Sequence, residues 1–273
     1  MSIDRSRFCL NRIIYPGLDL EKFFILTKEL GLNSVELRND LPGGQILDGM
    51  TPTEAKALAD THGIRILTIN AVQHFNLGSI LDTVYANVKA MLETAAAIGC
   101  YGIVLCPHND VNDTRTAEQF YQETVAALKK AAPLFQGSGI IGLVEPLGFE
   151  ECSLRSKNTA VQAIQESGYD GYRLVHDTFH HYLGPDETFF PEYTGLVHIS
   201  GVETDIPMSQ IRDGHRILIG EKDIMGNKAQ IRALESQGYT GMYSFEPFSP
   251  EVQHLSLEEL KRAFAACLEF LIA

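Results

Sequence analysis

Three carboxylates and an imidazole, each at or near the end of a short apolar run, are the residues of this chain best suited to do chemistry. Glu145 closes "IIGLVE", Asp177 closes "YRLVHD" and Glu246 closes "GMYSFE", while His198 lies just inside the end of "GLVHIS". Carboxylates gathered where apolar segments end repel one another and take up protons unless they are paired, hydrogen-bonded or bound to a cation. Three carboxylates and one imidazole suit one divalent metal ion, Mn²⁺, Co²⁺, Mg²⁺ or Zn²⁺, with positions left open for water or substrate. The competing reading is a set of separate ion pairs. Near Glu145 and Asp177 on the same side the only basic residue close in sequence is Arg155, which weighs against it.

The stretch "RLVHDTFHHYLG", from Arg173 to Gly184, crowds three histidines around Asp177. Neighbours on a strand point to opposite faces, so His176 is expected to turn away from Asp177 and pack behind it. His180 is expected in a loop above the site, within reach of a bound substrate, and His181 carries no assignment. Two carboxylates across a substrate can share proton work, one removing a proton and the other, or the same one, returning it to the adjacent carbon. Glu145 and Glu246 are the candidates for that catalytic pair, with Asp177 and His198 mainly holding the cation.

Bringing these groups together requires a particular frame. Eight β-prone runs, "FCLNRI", "SVELR", "IRILTIN", "GIVLC", "IIGLVE", "YRLVHD", "GLVHIS" and "GMYSFE", alternate with helical patterns. They are apolar with little alternation, as expected of parallel strands buried on both faces. "TPTEAKALADTHG" carries a helix start at Thr51, Pro52 and Glu54 and a stop at Gly63. Alternating strands and helices predict an α/β fold, a closed (β/α)₈ TIM barrel with residues 1–273 as a single domain. An open doubly wound sheet would show a Gly-rich phosphate loop after its first strand, and "CLNRIIYPGLDL" is not one. In a barrel the strand ends form one mouth, which also receives Asn11, Glu36 and Asn70. Phe75, Phe149 and Phe248 follow strands and are expected in the core or the pocket wall.

Composition narrows the partners. The net charge of −13 on 273 residues argues against nucleic acid, which needs a basic face. No run is long enough to span a membrane and the N-terminus lacks the apolar core of a signal peptide. Five cysteines without a C-x-x-C pair fit a reducing compartment, so a cytoplasmic protein is expected. Cys9 and Cys106 read as small buried hydrophobes. No anion nest or Lys/Arg cluster appears at the mouth, which favours an unphosphorylated substrate. A homo-oligomer is compatible with the helical exterior of such a barrel.

Around the candidate residues, "LVEPLGFEECS", "HDTFHH", "LVHIS" and "SFEPF" resemble the xylose-isomerase-like barrels, the superfamily of sugar isomerases and epimerases. The likeness extends through "CLN", "TINAVQHFN", "SGVETDIPMSQIRDGHRILIGEKDI" and "FEPFSPE", and within the superfamily it is similar to the inosose isomerases. The resemblance implies one divalent ion held by Glu145, Asp177, His198 and Glu246, with substrate contacts from His180 and from Arg216 in "HRILIGE". It implies a polyol ketone substrate whose carbonyl moves between adjacent ring carbons, 2-keto-myo-inositol to 1-keto-D-chiro-inositol, in inositol catabolism. One constellation serves several outcomes in this superfamily, and a ketose 3-epimerase is the leading alternative. Inosose dehydration and a barrel that only binds sugar or metal follow it. A DNA-repair nuclease of this fold would want more ligands and a basic surface.

Overall fold

The computed structural model describes residues 3–272. Eight parallel strands close a barrel in sequence order. They are β1 (Phe8–Asn11), β2 (Ser34–Arg38), β3 (Arg65–Val72), β4 (Gly102–Leu105), β5 (Ile141–Val144), β6 (Tyr172–Asp177), β7 (Thr194–Ile199) and β8 (Tyr243–Phe245). β1 pairs with both β2 and β8, which completes the ring. All eight strands of the sequence pattern are present, although β3 runs two residues past Asn70, and Glu145 and Glu246 stand just beyond their strands.

Helices α1 (Leu20–Glu29), α2 (Pro52–His62), α3 (Leu81–Ile98), α4 (Ala117–Phe135) and α5 (Lys157–Ser167) follow the first five strands. The later strands are followed by α6 (Thr178–Leu183), α7 (Asn227–Ser236), α8 (Pro250–Gln253) and α9 (Leu257–Ile272). Local chemistry sets their ends. Thr51 caps α2 in a capping box with Glu54, and Gly63 ends it at φ 60°, a left-handed conformation that glycine adopts without a Cβ penalty. Thr116 and Gln119 form the same reciprocal cap on α4. Among the described residues no helix is long and apolar enough to cross a membrane.

Two layers of apolar side chains support the mouth. Cys9, Leu67, Val104, Leu143, Val175 and Leu196 fill the barrel interior. A larger cluster, including Phe8, Phe24, Phe135, Tyr172 and Phe264, lies between strands and helices. The interior plug is apolar and the polar groups sit above it, at the C-terminal ends of the strands. Register fixes which of them meet: Asn11 lies beside Glu36, Arg38 beside Asn70, and Asp177 beside His198.

Candidate metal centre

Glu145, Asp177, His198 and Glu246 converge. One ligand atom from each lies within 4.8 Å of the other three, and all four residues are buried. His198 Nδ1 stands 2.7 Å from Glu145 Oε1, 3.3 Å from Glu246 Oε2 and 3.9 Å from Asp177 Oδ2. Its Nε2 faces Glu36 Oε1 at 3.1 Å. Glu36 in turn accepts from Thr68 Oγ1 and from Asn11 Nδ2. The imidazole is thus fixed by a carboxylate behind it, the usual way a metal-binding histidine has its ring and tautomer set.

Two arginines enter the cluster. Arg216 Nη2 donates to Asp177 Oδ2 at 2.7 Å and to Glu246 Oε2 at 2.9 Å, while Nε reaches Ser200 and Nη1 reaches Asp213. Arg38 Nη1 donates to Glu246 Oε1 at 2.6 Å. Basic partners therefore do reach Asp177 and Glu246, contrary to the expectation from nearby sequence, because they arrive from β2 and from the segment after β7. Arg155 plays no such part; it donates to the carbonyls of Gly148 and Leu183.

The electrostatics suit a cation. Four buried carboxylates (Glu36, Glu145, Asp177 and Glu246) face two buried guanidiniums. With His198 neutral this leaves an excess of two negative charges, which one divalent ion balances. The side chains alone respond as such an excess requires. Burial raises Asp177 to about 7, with Arg216 opposing and Glu246 and Glu145 adding to the rise. Burial would lower His198, but the carboxylates of Glu246, Glu36 and Glu145 outweigh it and push the imidazole well above its usual range. Burial would raise Glu246, yet His198, Arg216 and Arg38 hold it well below the ordinary carboxylate range. The donor set of three carboxylate oxygens and one imidazole nitrogen fits Mn²⁺, Co²⁺, Mg²⁺ or Zn²⁺.

His180 sits in α6 rather than in a loop, one turn above Asp177, whose carboxylate caps that helix by accepting from the Phe179 and His180 amides. His180 Nδ1 accepts from the Gly148 amide at 3.1 Å, so the neutral ring carries its proton on Nε2. Burial, then Arg216, lowers its pKa to about 3, which keeps the ring neutral. Gly148 has to be glycine for this approach: a Cβ there would collide with the His180 carbonyl and lie 2.7 Å from Leu183 Cβ. Phe149 packs edge-on against His180. The Phe248 ring packs against both arginines, its centroid 5.0 Å from the Arg38 guanidinium and 4.9 Å from that of Arg216, and Phe75 is in the core. The Cys106 thiol, buried as expected, donates to Glu145 Oε2 at 3.3 Å.

Asn11 and Asn70 both donate to Glu246 Oε1, at 3.1 and 3.2 Å, and so belong to the site together with Glu36. Arg38 went unseen in the sequence. Its signal was there: it lies two residues after Glu36 in "SVELR", hence on the same face of β2.

The whole-chain comparisons agree with the barrel fold. The family model described as xylose isomerase-like TIM barrel matches residues 24–271. The chain belongs to that family. An inosose isomerase of Bacillus velezensis is 24% identical over 262 residues, covering 93% of this chain and 92% of its own length. A xylose isomerase domain-containing protein of Salmonella typhimurium superposes over 100% of both chains with a TM-score of 0.92 and 40% identity. The IolI protein with a bound zinc atom shares the fold at a TM-score of 0.87 and 22% identity, with 98% of each chain covered. In this family member, then, the buried acidic cluster stands at the C-terminal mouth of the barrel, where TIM-barrel active sites lie.

Proposed function

We propose that this chain is a metal-dependent inosose isomerase, in which Glu145, Asp177, His198 and Glu246 hold one divalent cation. The observation that carries the reading is the convergence of those four buried donors within 4.8 Å at the barrel mouth. The inosose isomerase relatives, similar over most of the chain, support the substrate class. A cation bound there polarises the substrate carbonyl and acidifies the neighbouring C–H.

The remaining work falls to the protein. Glu145 and Glu246 are the proton-handling pair, in unequal parts. Both Glu246 oxygens are engaged by guanidiniums, which favours its charged form. Glu145 Oε2 meets only the Cys106 thiol, a weak donor, and is freer to take a proton from one carbon and return it to the next. Movement of the carbonyl along one face of a ring needs one such group for the carbon-to-carbon proton, while the neighbouring hydroxyl gives its proton to the former carbonyl oxygen beside it. Inversion at a single carbon, as in a 3-epimerase, needs two on opposite faces, so the asymmetry supports isomerisation. His180 offers Nε2–H to a substrate hydroxyl. Arg216, fully engaged with Asp177 and Glu246, places its charge beside the oxygen that becomes negative and orients the two carboxylates.

Incubation of the metal-loaded protein with 2-keto-myo-inositol in D₂O, followed by NMR, tests the proposal. Formation of 1-keto-D-chiro-inositol is expected. Turnover of fructose or tagatose at C3 in its place would make the chain an epimerase, and no turnover of any polyol ketone would sink the enzymatic reading.

A further inference from the structure

We infer that Arg38 is a positioning residue that holds Glu246 to a single oxygen at the cation site. The inference rests on the metal-dependent reading above and adds to it a residue and a role. Glu246 Oε1 receives three N–H donors: Arg38 Nη1 at 2.6 Å, Asn11 Nδ2 at 3.1 Å and Asn70 Nδ2 at 3.2 Å. That oxygen is saturated. The other, Oε2, accepts a single hydrogen bond from Arg216 Nη2 at 2.9 Å, faces His198 Nδ1 at 3.3 Å and is the one turned toward the remaining donors.

Arg38 is itself locked. Nε and Nη2 make a two-pronged pair with Asp40, at 2.8 and 2.7 Å, and the guanidinium lies over the Phe248 ring. Its side chain is 4% exposed, and its Cα sits beside that of Asn70 in the strand register. The planar fork is what lets one side chain grip Asp40 with two nitrogens and Glu246 with the third, which a lysine cannot do. Arg38 and Arg216, both packed on the Phe248 ring, take different oxygens of the one Glu246 carboxylate. A carboxylate free to rotate can take a cation through both oxygens and occupy a position that substrate needs. The Arg38 clamp removes that option. Among the described residues no guanidinium holds Glu145, whose Oε1 faces His198 Nδ1 and whose Oε2 meets a thiol.

The test uses the full chain loaded with Co²⁺, comparing the natural protein with Arg38→Met and Arg38→Lys. Three quantities are read: Co²⁺ bound per chain, visible d–d absorption per bound ion, and kcat and KM for 2-keto-myo-inositol. In Arg38→Met the absorption per ion is expected to fall, because an added oxygen raises the coordination number. Turnover falls by about 10–100-fold, mainly in kcat, as for other residues that orient metal ligands. Arg38→Lys, which keeps the charge and loses the fork, restores neither. An unchanged spectrum per ion in Arg38→Met overturns the inference even if turnover drops. Should that variant fail to fold, Asp40→Asn decides: it frees Arg38 at a partly exposed position and is expected to move the spectrum the same way by less, and no movement counts against the inference. Failure of the natural protein to bind Co²⁺ at all would instead remove the metal reading beneath it.

Discussion

Strand β6 separates two buried polar clusters of opposite character. Asp177 points into the barrel mouth, among carboxylates and two guanidiniums. His176, its neighbour, points outward into a basic cluster, with Lys157 Nζ 3.0 Å from His176 Nδ1 and 2.8 Å from His181 Nδ1. His176 Nε2 meets Gln230 Oε1, whose amide group in turn donates to the Thr178 and Met225 carbonyls. The inner cluster carries more negative charge than its own residues cancel, and an added cation relieves it. Among the described residues no carboxylate pairs directly with the Lys157 ammonium, Asp186 accepting from the Lys157 backbone N–H instead, and the cluster is relieved by losing a proton: burial brings Lys157 down to about 7. The two faces therefore differ in what relieves them, because only the inner excess is one that a bound cation can meet.

That contrast is broken most sharply by matched substitutions. Glu145→Gln removes the freer proton carrier and is expected to lower kcat by about 10²–10⁴-fold. Glu246→Gln should be at least as severe, since it also removes the charge on which Arg38 and Arg216 converge. Lys157→Met on the outer face should leave kcat within a few-fold of the natural protein, at about the level of an indirect packing change. Steady-state kinetics on the three variants decide this. If the lysine change costs as much as the glutamate changes, the two faces do not divide as argued.

Metal removal comes next in size. A ligand present at about 100 times its Kd stabilises the folded state by about 2.7 kcal/mol, so chelation should lower the Tm by several degrees. The same chelator should produce the same fall in Lys157→Met and almost none in Asp177→Asn, whose inner site is incomplete. A thermal melt with and without chelator shows the difference, and a full metal-dependent shift in Asp177→Asn would contradict the role given to that carboxylate.

How much of this was readable follows from what each residue depends on. The barrel was legible because eight apolar runs of strand length recur between helical patterns with their own caps, as at Thr51 and Gly63. Glu145, Asp177, His198 and Glu246 were legible because a charge at the end of a buried strand is costly without a partner. The opposite facing of His176 and Asp177 followed from strand alternation. Arg38 was legible by the same rule, since it closes β2 on the face that Glu36 shares. Lys157 was hidden in principle. It opens α5, and its partners come from β6 and α6, so nothing near it in "LRSKNTA" marks it as buried. His180, expected in a loop, lies in a short helix, because Asp177 doubles as that helix's cap.

The smallest effect concerns the outer face alone. Burial depresses Lys157 from 10.5 in the free side chain to about 7 in the fold, with Asp186 opposing weakly. Between those values the unfolded chain binds the proton and the folded one has released it, so stability rises with pH. The destabilising contribution is fully present below about pH 7 and fades toward the unfolded value. A neutral amine still has two N–H groups for the two Nδ1 acceptors, so losing the charge need not break the cluster. From about pH 7 to about pH 8.5 the lysine should add about 1.5 kcal/mol, roughly 3–6 °C in Tm. Thiols and phenols titrate with the opposite sign at the upper end of that range, so the quantity to measure is the difference between the natural protein and Lys157→Met at each pH. The variant should gain stability relative to the natural protein as pH falls toward 7. Parallel Tm curves would show that the Lys157 ammonium is held without cost, and the contrast between the two faces of β6 would lose its electrostatic basis.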